Sequence, residues 1–204
     1  SILPFLIIIS LVLLSISVLT IPNLQTNRSN LSKDNLLDLI KDKNLVIFIF
    51  GCSIILASHA MYYAFSAIYW YKSNISYFQV GILWSWGVLA EILFFLFINK
   101  FKIKNNILWI FFFSGLISSL RWILTYYFIN FFILIAIQTL HGFSFGLTHY
   151  LVMYYIQSKV KYENRLKAQS LYYGISSGLL MTFFTIIAGL TFKDNNNGLG
   201  FLIM

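Results

Sequence analysis

Long apolar stretches separated by short polar connections make up most of the chain. A helix needs about 20 mostly apolar residues to cross a bilayer. The pattern therefore predicts an all-α fold, a polytopic membrane helix bundle of about six complete spans plus the start of another. These spans are predicted over 2–21, 45–71, 76–98, 106–128, 130–156 and 168–192, with the last beginning near Leu199.

Composition agrees with a membrane protein. Hydrophobic residues make up 59% of the 204 positions, charged residues only 10%, and the mean hydropathy is +0.81. A water-soluble chain of this length could not bury so much apolar surface, which excludes soluble enzymes and disordered tails. The net charge of +8 comes from short basic clusters between the apolar runs, so the membrane surface is the expected partner and nucleic acid is not.

The distribution of basic residues predicts the orientation of the spans. Lys and Arg near span ends remain on the cytoplasmic side. One side holds eleven of them, whereas the other side holds only Lys72 and Lys193. The second, fourth and sixth spans are therefore expected to run outward. The basic residues of the cytoplasmic side are Arg28, Lys33, Lys41, Lys43, Lys100, Lys102, Lys104, Lys159, Lys161, Arg165 and Lys167.

The longest polar connection, 23–44, links the first span to the remaining group. Leu36, Leu37, Leu39 and Ile40 alternate there with charged residues, and Ser32 could cap a short helix. The segment is interpreted as an amphipathic helix on the inner surface, with a solvated linker as the alternative. The chain lacks an initiator Met and stops within an apolar run, so we expect a fragment of a larger bundle.

Ionisable residues inside the predicted spans are the main functional signal. His59, Glu91, Arg121 and His141 lie deep within spans, and His149 lies nearer the inner end. A charge at the bilayer centre costs several kcal/mol, so these groups should face protein or water. Their usual role is in a substrate or proton pathway. An ion pair that only packs helices together is the alternative.

Helical geometry places several polar residues on common faces. On the second span one face is polar and aromatic, within an arc of about 160°, and on the fifth span a polar face covers about 140°. Two such faces predict a hydrated interior, although for Tyr69 and Trp70 a role as anchors at the membrane interface is the alternative. The first face holds His59, Tyr62, Tyr63, Ser66, Tyr69 and Trp70, opposite Met61, Ala64, Phe65 and Ile68; the second holds Gln138, His141, Ser144, Thr148 and His149.

Depth along the helices suggests which residues can meet. At 1.5 Å per residue, Arg121 lies about 10 Å from the outer surface, His141 about 16 Å and Glu91 about 22 Å. Arg121 should therefore reach His141 or a substrate anion, whereas a direct pair between Arg121 and Glu91 is not predicted. Histidine gains and loses protons near neutral pH, and arginine forks onto carboxylates, which together favour proton-coupled binding of a solute.

The sequence Gly142-Phe143-Ser144-Phe145-Gly146 matches the G-x-S-x-G pattern of serine hydrolases. That motif requires a strand-to-helix elbow, but here it falls within an apolar helical run. We therefore expect Ser144 to line a cavity and the glycines to permit close helix contact. Gly174, Gly178 and Gly189 are interpreted in the same way, and Cys52 as a small buried hydrophobe. The sequence contains no metal-ligand spacing, phosphate loop or dinucleotide fingerprint, so no cofactor, no metal and no enzymatic activity are predicted.

Four strings resemble the major facilitator superfamily and, within it, the 3-phenylpropionate transporter family. They are SHAMYYAFSAIYW at 58–70, WSWGVLAEI at 84–92, LRW at 120–122 and QTLHGFSFG at 138–146. The resemblance implies a fold of about twelve spans in two halves with alternating access. It implies that 1–22 is the last span of the N-terminal half, 23–44 the cytoplasmic inter-half linker, and 45–204 a truncated C-terminal helix bundle.

The lactose permease branch is a more distant likeness. Its arginine and histidine in corresponding helices are matched by Arg121 and His141. Ser144 stands where that branch has an acidic proton carrier. Its sugar-binding acid aligns with Val88, one turn before Glu91.

Residues and resemblance together predict a secondary active transporter, a proton symporter for a small organic solute such as an aromatic carboxylate. Transport of nucleosides or sugars, and a structural or sensory membrane subunit, are the alternatives. The expected partners are solute, protons, lipid and the absent N-terminal half, in a bacterial cytoplasmic membrane. His141 and Glu91 are predicted to couple protons; the predicted substrate-binding residues are Arg121, His59, Tyr62, Tyr63, Gln138 and Ser144.

Overall fold

The computed structural model describes residues 3–20, 36–98, 106–195 and 198–204, and all regular elements in these ranges are helices. The chain forms two compact units, Ser1–Lys33 and Asp34–Met204. The first contains α1 (Leu3–Thr20). The second contains α2 (Leu36–Lys41), α3 (Lys43–Ala57), α4 (Ala60–Lys72), α5 (Tyr77–Phe97), α6 (Ile107–Tyr127), α7 (Phe131–Thr139), α8 (Leu147–Lys159), α9 (Arg165–Tyr173), α10 (Met181–Asn195) and α11 (Gly200–Ile203).

Five helical stretches in the described ranges are long and apolar enough to cross a membrane. They correspond to the second to sixth predicted spans, and the sixth begins six residues earlier than expected, at Tyr162 rather than 168. The prediction of an all-α membrane helix bundle is therefore confirmed. The stretches are Lys43–Lys72, Tyr77–Phe97, Ile107–Tyr127, Phe131–Lys159 and Tyr162–Phe192.

Side-chain caps fix where three of the helices begin. Asp42 Oδ1 accepts hydrogen bonds from the backbone N–H groups of Asn44 and Leu45 at the start of α3. Ser76 and Gln79 form a reciprocal capping box at the start of α5. Asn130 caps α7 in the same way as Asp42 caps α3. The short helix expected in the connection is present as α2, whereas the predicted cap Ser32 lies outside the described residues.

Three spans depart from regular α-helix near their middle. Between α3 and α4 the chain tightens at Ser58 and His59, where the His59 N–H donates to Leu56 O at 3.1 Å. The stretch Gly142–Gly146 before α8 and the stretch Gly174–Leu180 before α10 are π-helical. Such π segments change which side chains share a helix face and often occur at functional sites.

The apolar core forms two clusters that leave a polar layer between them. Leu56 belongs to one cluster and Met61 to the other, with Ser58 and His59 between them along the chain. The fifth predicted span corresponds to Phe131–Lys159. In this span Leu147 belongs to the first cluster and Ile137 to the second. The residues between Ile137 and Leu147 include Gln138, His141 and Ser144, all buried.

Gly142 allows α5 to pack closely on the π-helical stretch of the fifth span. A Cβ atom at this position would lie 2.8 Å from Ala90 O and 3.0 Å from Phe94 Cβ, which is closer than real Cβ contacts. Gly146 would similarly place a Cβ 3.1 Å from Phe94 Cδ1. The prediction that these glycines permit close helix contact is confirmed.

The described residues show no such contact at Gly174. A Cβ there would meet no atom of the described chain within 4 Å, because this residue lies on the exposed face of its span. Gly178 is also exposed, and only Tyr173 O of its own span would come as close as 3.9 Å. Gly189 does meet a neighbour, since its Cβ would lie 3.7 Å from Phe65 Cζ.

Candidate functional site

Arg121 occupies the centre of the polar layer and is fully buried on α6. Its Nη1 lies 3.0 Å from His141 Nδ1, and its Nη2 donates to Gln138 Oε1 at 2.7 Å. Nη1 also lies 3.3 Å from Ser144 Oγ. The expectation that Arg121 reaches His141 is therefore confirmed, and three predicted site residues surround the guanidinium.

His141 links Arg121 to Glu91. An arginine N–H can only donate, so Nδ1 of His141 accepts and the ring proton belongs on Nε2. Nε2 faces Glu91 Oε2 on α5 at 3.8 Å. Within the described part of the chain Glu91 therefore reaches Arg121 through the imidazole, a question that the sequence left open.

The positive charge of Arg121 has unusual surroundings for a buried arginine. Its acceptors are the neutral groups of Gln138, His141 and Ser144, and no carboxylate among the described residues contacts it. Its Nε atom has no hydrogen-bond partner among the residues that the structure describes. The guanidinium carbon lies 4.8 Å from the ring centroid of Tyr62 and 4.5 Å from that of Trp122. Aromatic faces attract a cation, but they do not neutralise its charge.

The buried polar group of Arg121, Gln138, His141 and Ser144 is called the cluster from here on. His59 approaches this cluster from the turn between α3 and α4. Its Nδ1 lies 3.1 Å from Ile55 O, so this nitrogen donates and Nε2 is left to accept. Nε2 lies 3.5 Å from Ser144 Oγ. The ring also packs edge-on against Trp122, with centroids 4.8 Å apart. The tightened turn therefore brings His59 to the same serine that contacts Arg121.

The two predicted tyrosines differ in position. Tyr62 is 2% exposed and stacks on Trp84 with ring centroids 4.6 Å apart, so the two rings form one aromatic wall of the cluster. Tyr63 is 38% exposed, and its ring centroid lies 5.9 Å from that of His59. Tyr62 belongs to the cluster, whereas Tyr63 lies at its edge.

Trp122 supports the cluster but was not singled out from the sequence. It is 2% exposed, and its Nε1 donates to Ser58 Oγ at 2.9 Å, which holds α6 against the turn before α4. Ser58 Oγ also lies 3.4 Å from Ser118 Oγ. The signal in the sequence was its place in the string LRW at 120–122. Adjacency to Arg121 alone does not place it in the site, because neighbouring residues on a helix point about 100° apart.

A half-open cavity of about 450 Å³ adjoins the cluster. Glu91 lines this cavity and also faces His141 of the cluster. Its side chain is 23% exposed. His149 also lines the cavity, with its Nδ1 3.1 Å from Tyr172 Oη. His149 was expected on the same face as His141, but it belongs to this separate pair. The lining residues are Leu56, Glu91, Phe95, Phe145, His149, Tyr150, Met153, Tyr172, Tyr173, Ser176, Ser177 and Met181.

The local structure around Ser144 differs from a hydrolase site. Ser144 lies inside a π-helical stretch of a membrane span, whereas a nucleophile elbow needs a strand followed by a helix. Its hydroxyl contacts Arg121 Nη1. Among the residues that the structure describes, no group of three or more His, Cys, Asp or Glu residues could hold a metal ion.

Comparison with known proteins assigns this chain to a family. The model of the MFS_1 like family matches residues 1–203. The probable 3-phenylpropionic acid transporter of Escherichia coli (strain K12) is 31% identical over 141 residues, which are 69% of this chain and 37% of that protein. The uncharacterized transporter YwbF of Bacillus subtilis (strain 168) is 27% identical over 168 residues, 82% of this chain and 42% of that protein. This chain thus spans less than half the length of these curated relatives, and no solved structure matches it.

Proposed function

We propose, because the chain belongs to the MFS_1 like family, that it is the C-terminal half of a secondary active transporter that works by alternating access. The name of the Escherichia coli relative supports a small aromatic carboxylate as the solute. Both named relatives are bacterial, which favours a bacterial cytoplasmic membrane. An N-terminal half would complete the solute pathway, since sites in such transporters lie between the halves.

The observation that carries the proposal is the charge arrangement of Arg121, His141 and Glu91. Arg121 holds a full positive charge, and Glu91 supplies negative charge only across the imidazole of His141. A solute carboxylate at Arg121 would compete electrostatically with an ionised Glu91. Protonation of Glu91 removes that competition, so binding of an anionic solute and binding of a proton favour each other.

The hydrogen-bond pattern assigns different roles to His141 and Glu91. While Arg121 donates to Nδ1, His141 stays neutral, because a second ring proton would have to replace that contact. Glu91 is therefore the group that gains the transported proton. His141 transmits the change in the charge of Glu91 to Arg121. One proton moving with one monoanion transfers no net charge across the membrane.

The remaining cluster residues are proposed to recognise the solute. Gln138 and Ser144 would exchange their contacts with Arg121 for contacts with the solute carboxylate. Tyr62, Tyr63 and His59 would pack against its aromatic ring. Arg121 is fully buried, so the solute reaches it only when the helices move apart during the transport cycle. This requirement is consistent with alternating access.

Two alternative functions follow from the same residues. The stacked pair of Tyr62 and Trp84 would also suit the ring of a nucleoside or sugar. The contacts of Arg121 with Gln138 and His141 would also serve a structural or sensory subunit, since they join α6 to the fifth span.

Transport by the complete protein in proteoliposomes tests the proposal. We expect an acid exterior to drive accumulation of 3-phenylpropionic acid, with one proton entering per solute and no dependence on membrane potential. Uptake of a nucleoside or a sugar under the same gradient would favour the first alternative. Absence of any solute-dependent proton flux across a panel of all three classes would favour the structural or sensory role.

A further inference from the structure

Phe145 contacts all three histidines of the chain. Its ring centroid lies 5.3 Å from that of His141 in a stacked arrangement and 5.6 Å from that of His59 in an edge-on arrangement. It also stacks nearly parallel to His149, at 6.4 Å and an interplanar angle of 8°. Phe145 lies four residues after His141 and four residues before His149 on the same span. A single phenyl ring therefore separates the two histidines of the cluster from the third.

The three histidines differ in their access to solvent. His59 is 0% and His141 5% exposed, and neither lines the adjoining cavity. His149 is half-buried and lines that cavity together with Phe145 itself. Phe145 thus lies between the buried cluster, which contains His141, and the half-open cavity, which is lined by His149. An apolar ring at such a boundary excludes water, because water there would lose hydrogen bonds without replacing them.

The local backbone explains the position of the ring. Phe145 lies in the π-helical stretch between Gly142 and Gly146, and these two glycines let α5 approach closely. That approach brings Glu91 to the cluster, because Glu91 Cγ would lie 3.5 Å from a Cβ on Gly146. The same segment therefore positions both the phenyl ring and the carboxyl beside it.

We propose that Phe145 is a positioning residue that closes the histidine cluster against the cavity, so that protons pass between cavity water and the cluster only through the Glu91 carboxyl. This inference rests on the proposed proton coupling. In the step itself, hydronium in the cavity gives its proton to a Glu91 oxygen and leaves water, and the reverse step releases it. The charged or titratable groups around this boundary are His59, Tyr62, Tyr63, Glu91, Arg121, His141, His149, Tyr150, Tyr172 and Tyr173.

Thiol accessibility tests the barrier without any transport. In the complete protein with Cys52→Ala, single cysteines are placed at His141 and His149 and treated with a small methanethiosulfonate, which reacts with hydrated thiolates. We expect the cysteine at 149 to react at least about tenfold faster than the cysteine at 141. Adding Phe145→Ala should bring the two rates together, and Phe145→Leu should preserve the difference. Equal rates with Phe145 in place would overturn the proposal, even if Phe145→Ala did not fold.

Proton entry tests the consequence for coupling. Vesicles containing the complete protein and an internal pH dye are acidified outside without solute, with the membrane potential clamped. Phe145→Ala is expected to admit protons about tenfold faster than the unmodified protein, and Phe145→Leu should not. Phe95→Ala is the matched control, because Phe95 lines the same cavity without a ring contact to a histidine among the described residues.

The two measurements separate the barrier from the transport function. If Phe145→Ala exposes position 141 but admits no extra protons, the ring does not control proton passage and the proposal is overturned. If the unmodified protein takes up solute without proton flux, symport fails as a function. Thiol accessibility would still report whether Phe145 closes the cluster.

Discussion

The 3.0 Å contact between Arg121 Nη1 and His141 Nδ1 places the ring proton of His141 on the nitrogen that faces Glu91. A permanent donor thus fixes the orientation and the tautomer of the imidazole. The carboxyl of Glu91, which also borders the cavity, is the group that we propose exchanges protons between the cluster and the cavity.

Replacing Arg121 should abolish solute uptake without preventing membrane insertion. In Arg121→Ala the positive charge is lost, and Gln138 and His141 lose their buried donor, at a cost of about 1–3 kcal/mol for each unsatisfied group. Arg121→Lys keeps the charge but cannot reach three acceptors from a planar fork, so we expect at least about a tenfold loss of uptake. Initial uptake rates, normalised to protein in the membrane, measure both effects.

Arg165 provides the matched control for this substitution. It lies outside the cluster, where its Nη2 donates to Gln157 O at 2.6 Å and its Nε to Val160 O at 3.2 Å. Arg165→Ala should lower thermal stability while keeping uptake close to normal. Undiminished uptake in Arg121→Ala would remove Arg121 from the mechanism.

Glu91→Gln should separate solute exchange from proton-driven accumulation. The amide has nearly the same size as the protonated carboxyl, so the anionic solute should still bind next to Arg121. The amide of glutamine cannot release a proton, so accumulation of solute against its concentration gradient should be lost. Counterflow of labelled solute and pH-driven uptake, measured on the same vesicles, distinguish the two activities.

Glu163 serves as the control carboxyl because it is exposed in the short connection before α9. Glu163→Gln should leave exchange and accumulation unchanged. If Glu91→Gln still accumulated solute in response to an acid exterior, another group would have to carry the proton.

Gly142→Ala should destabilise the protein by about 1–3 kcal/mol, as overpacking does in a tight interior. The new methyl group would lie 2.8 Å from the backbone oxygen of Ala90, which cannot move without shifting α5. Gly174→Ala is the control, because no described atom lies within 4 Å of its Cβ position and alanine favours helix. Melting temperatures in detergent compare the two; equal values would show that α5 adjusts without cost.

Much of the fold could be predicted from hydropathy because a spanning helix must be long and apolar. The contact between Arg121 and His141 could also be predicted, since depth along two helices already placed them within reach. Met61 shows where this reasoning stops. It was expected opposite the polar face, yet it is fully buried against Gly200 of α11. Periodicity cannot distinguish lipid from a neighbouring helix, because both are apolar environments.

The residues that the sequence did not identify depend on irregular backbone. A regular helix of 3.6 residues per turn predicts one polar face for the fifth span. The π-helical stretch Gly142–Gly146 instead turns His141 toward Arg121 and leaves His149 with Tyr172. Phe145 between them looks like any aromatic residue of an apolar run. Only the positions of the three histidine rings give it a distinct role.

Ser144→Ala should reduce transport only modestly and thereby separate a transporter from an intramembrane hydrolase. Its hydroxyl is one of three neutral partners of Arg121, at 3.3 Å, whereas Gln138 provides the shorter contact at 2.7 Å. The contact is long, so its loss is expected near the lower end of the range for a hydrogen bond to a charged group, about 1.5 kcal/mol, which corresponds to about tenfold weaker solute binding. A catalytic nucleophile would instead be indispensable for activity.

Ser119→Ala on α6 is the matched control, because that hydroxyl is exposed and donates to Gly115 O of its own helix. Half-saturation concentrations for uptake should rise in Ser144→Ala and stay constant in Ser119→Ala, and complete loss of uptake in Ser144→Ala alone would contradict the supporting role assigned to this serine.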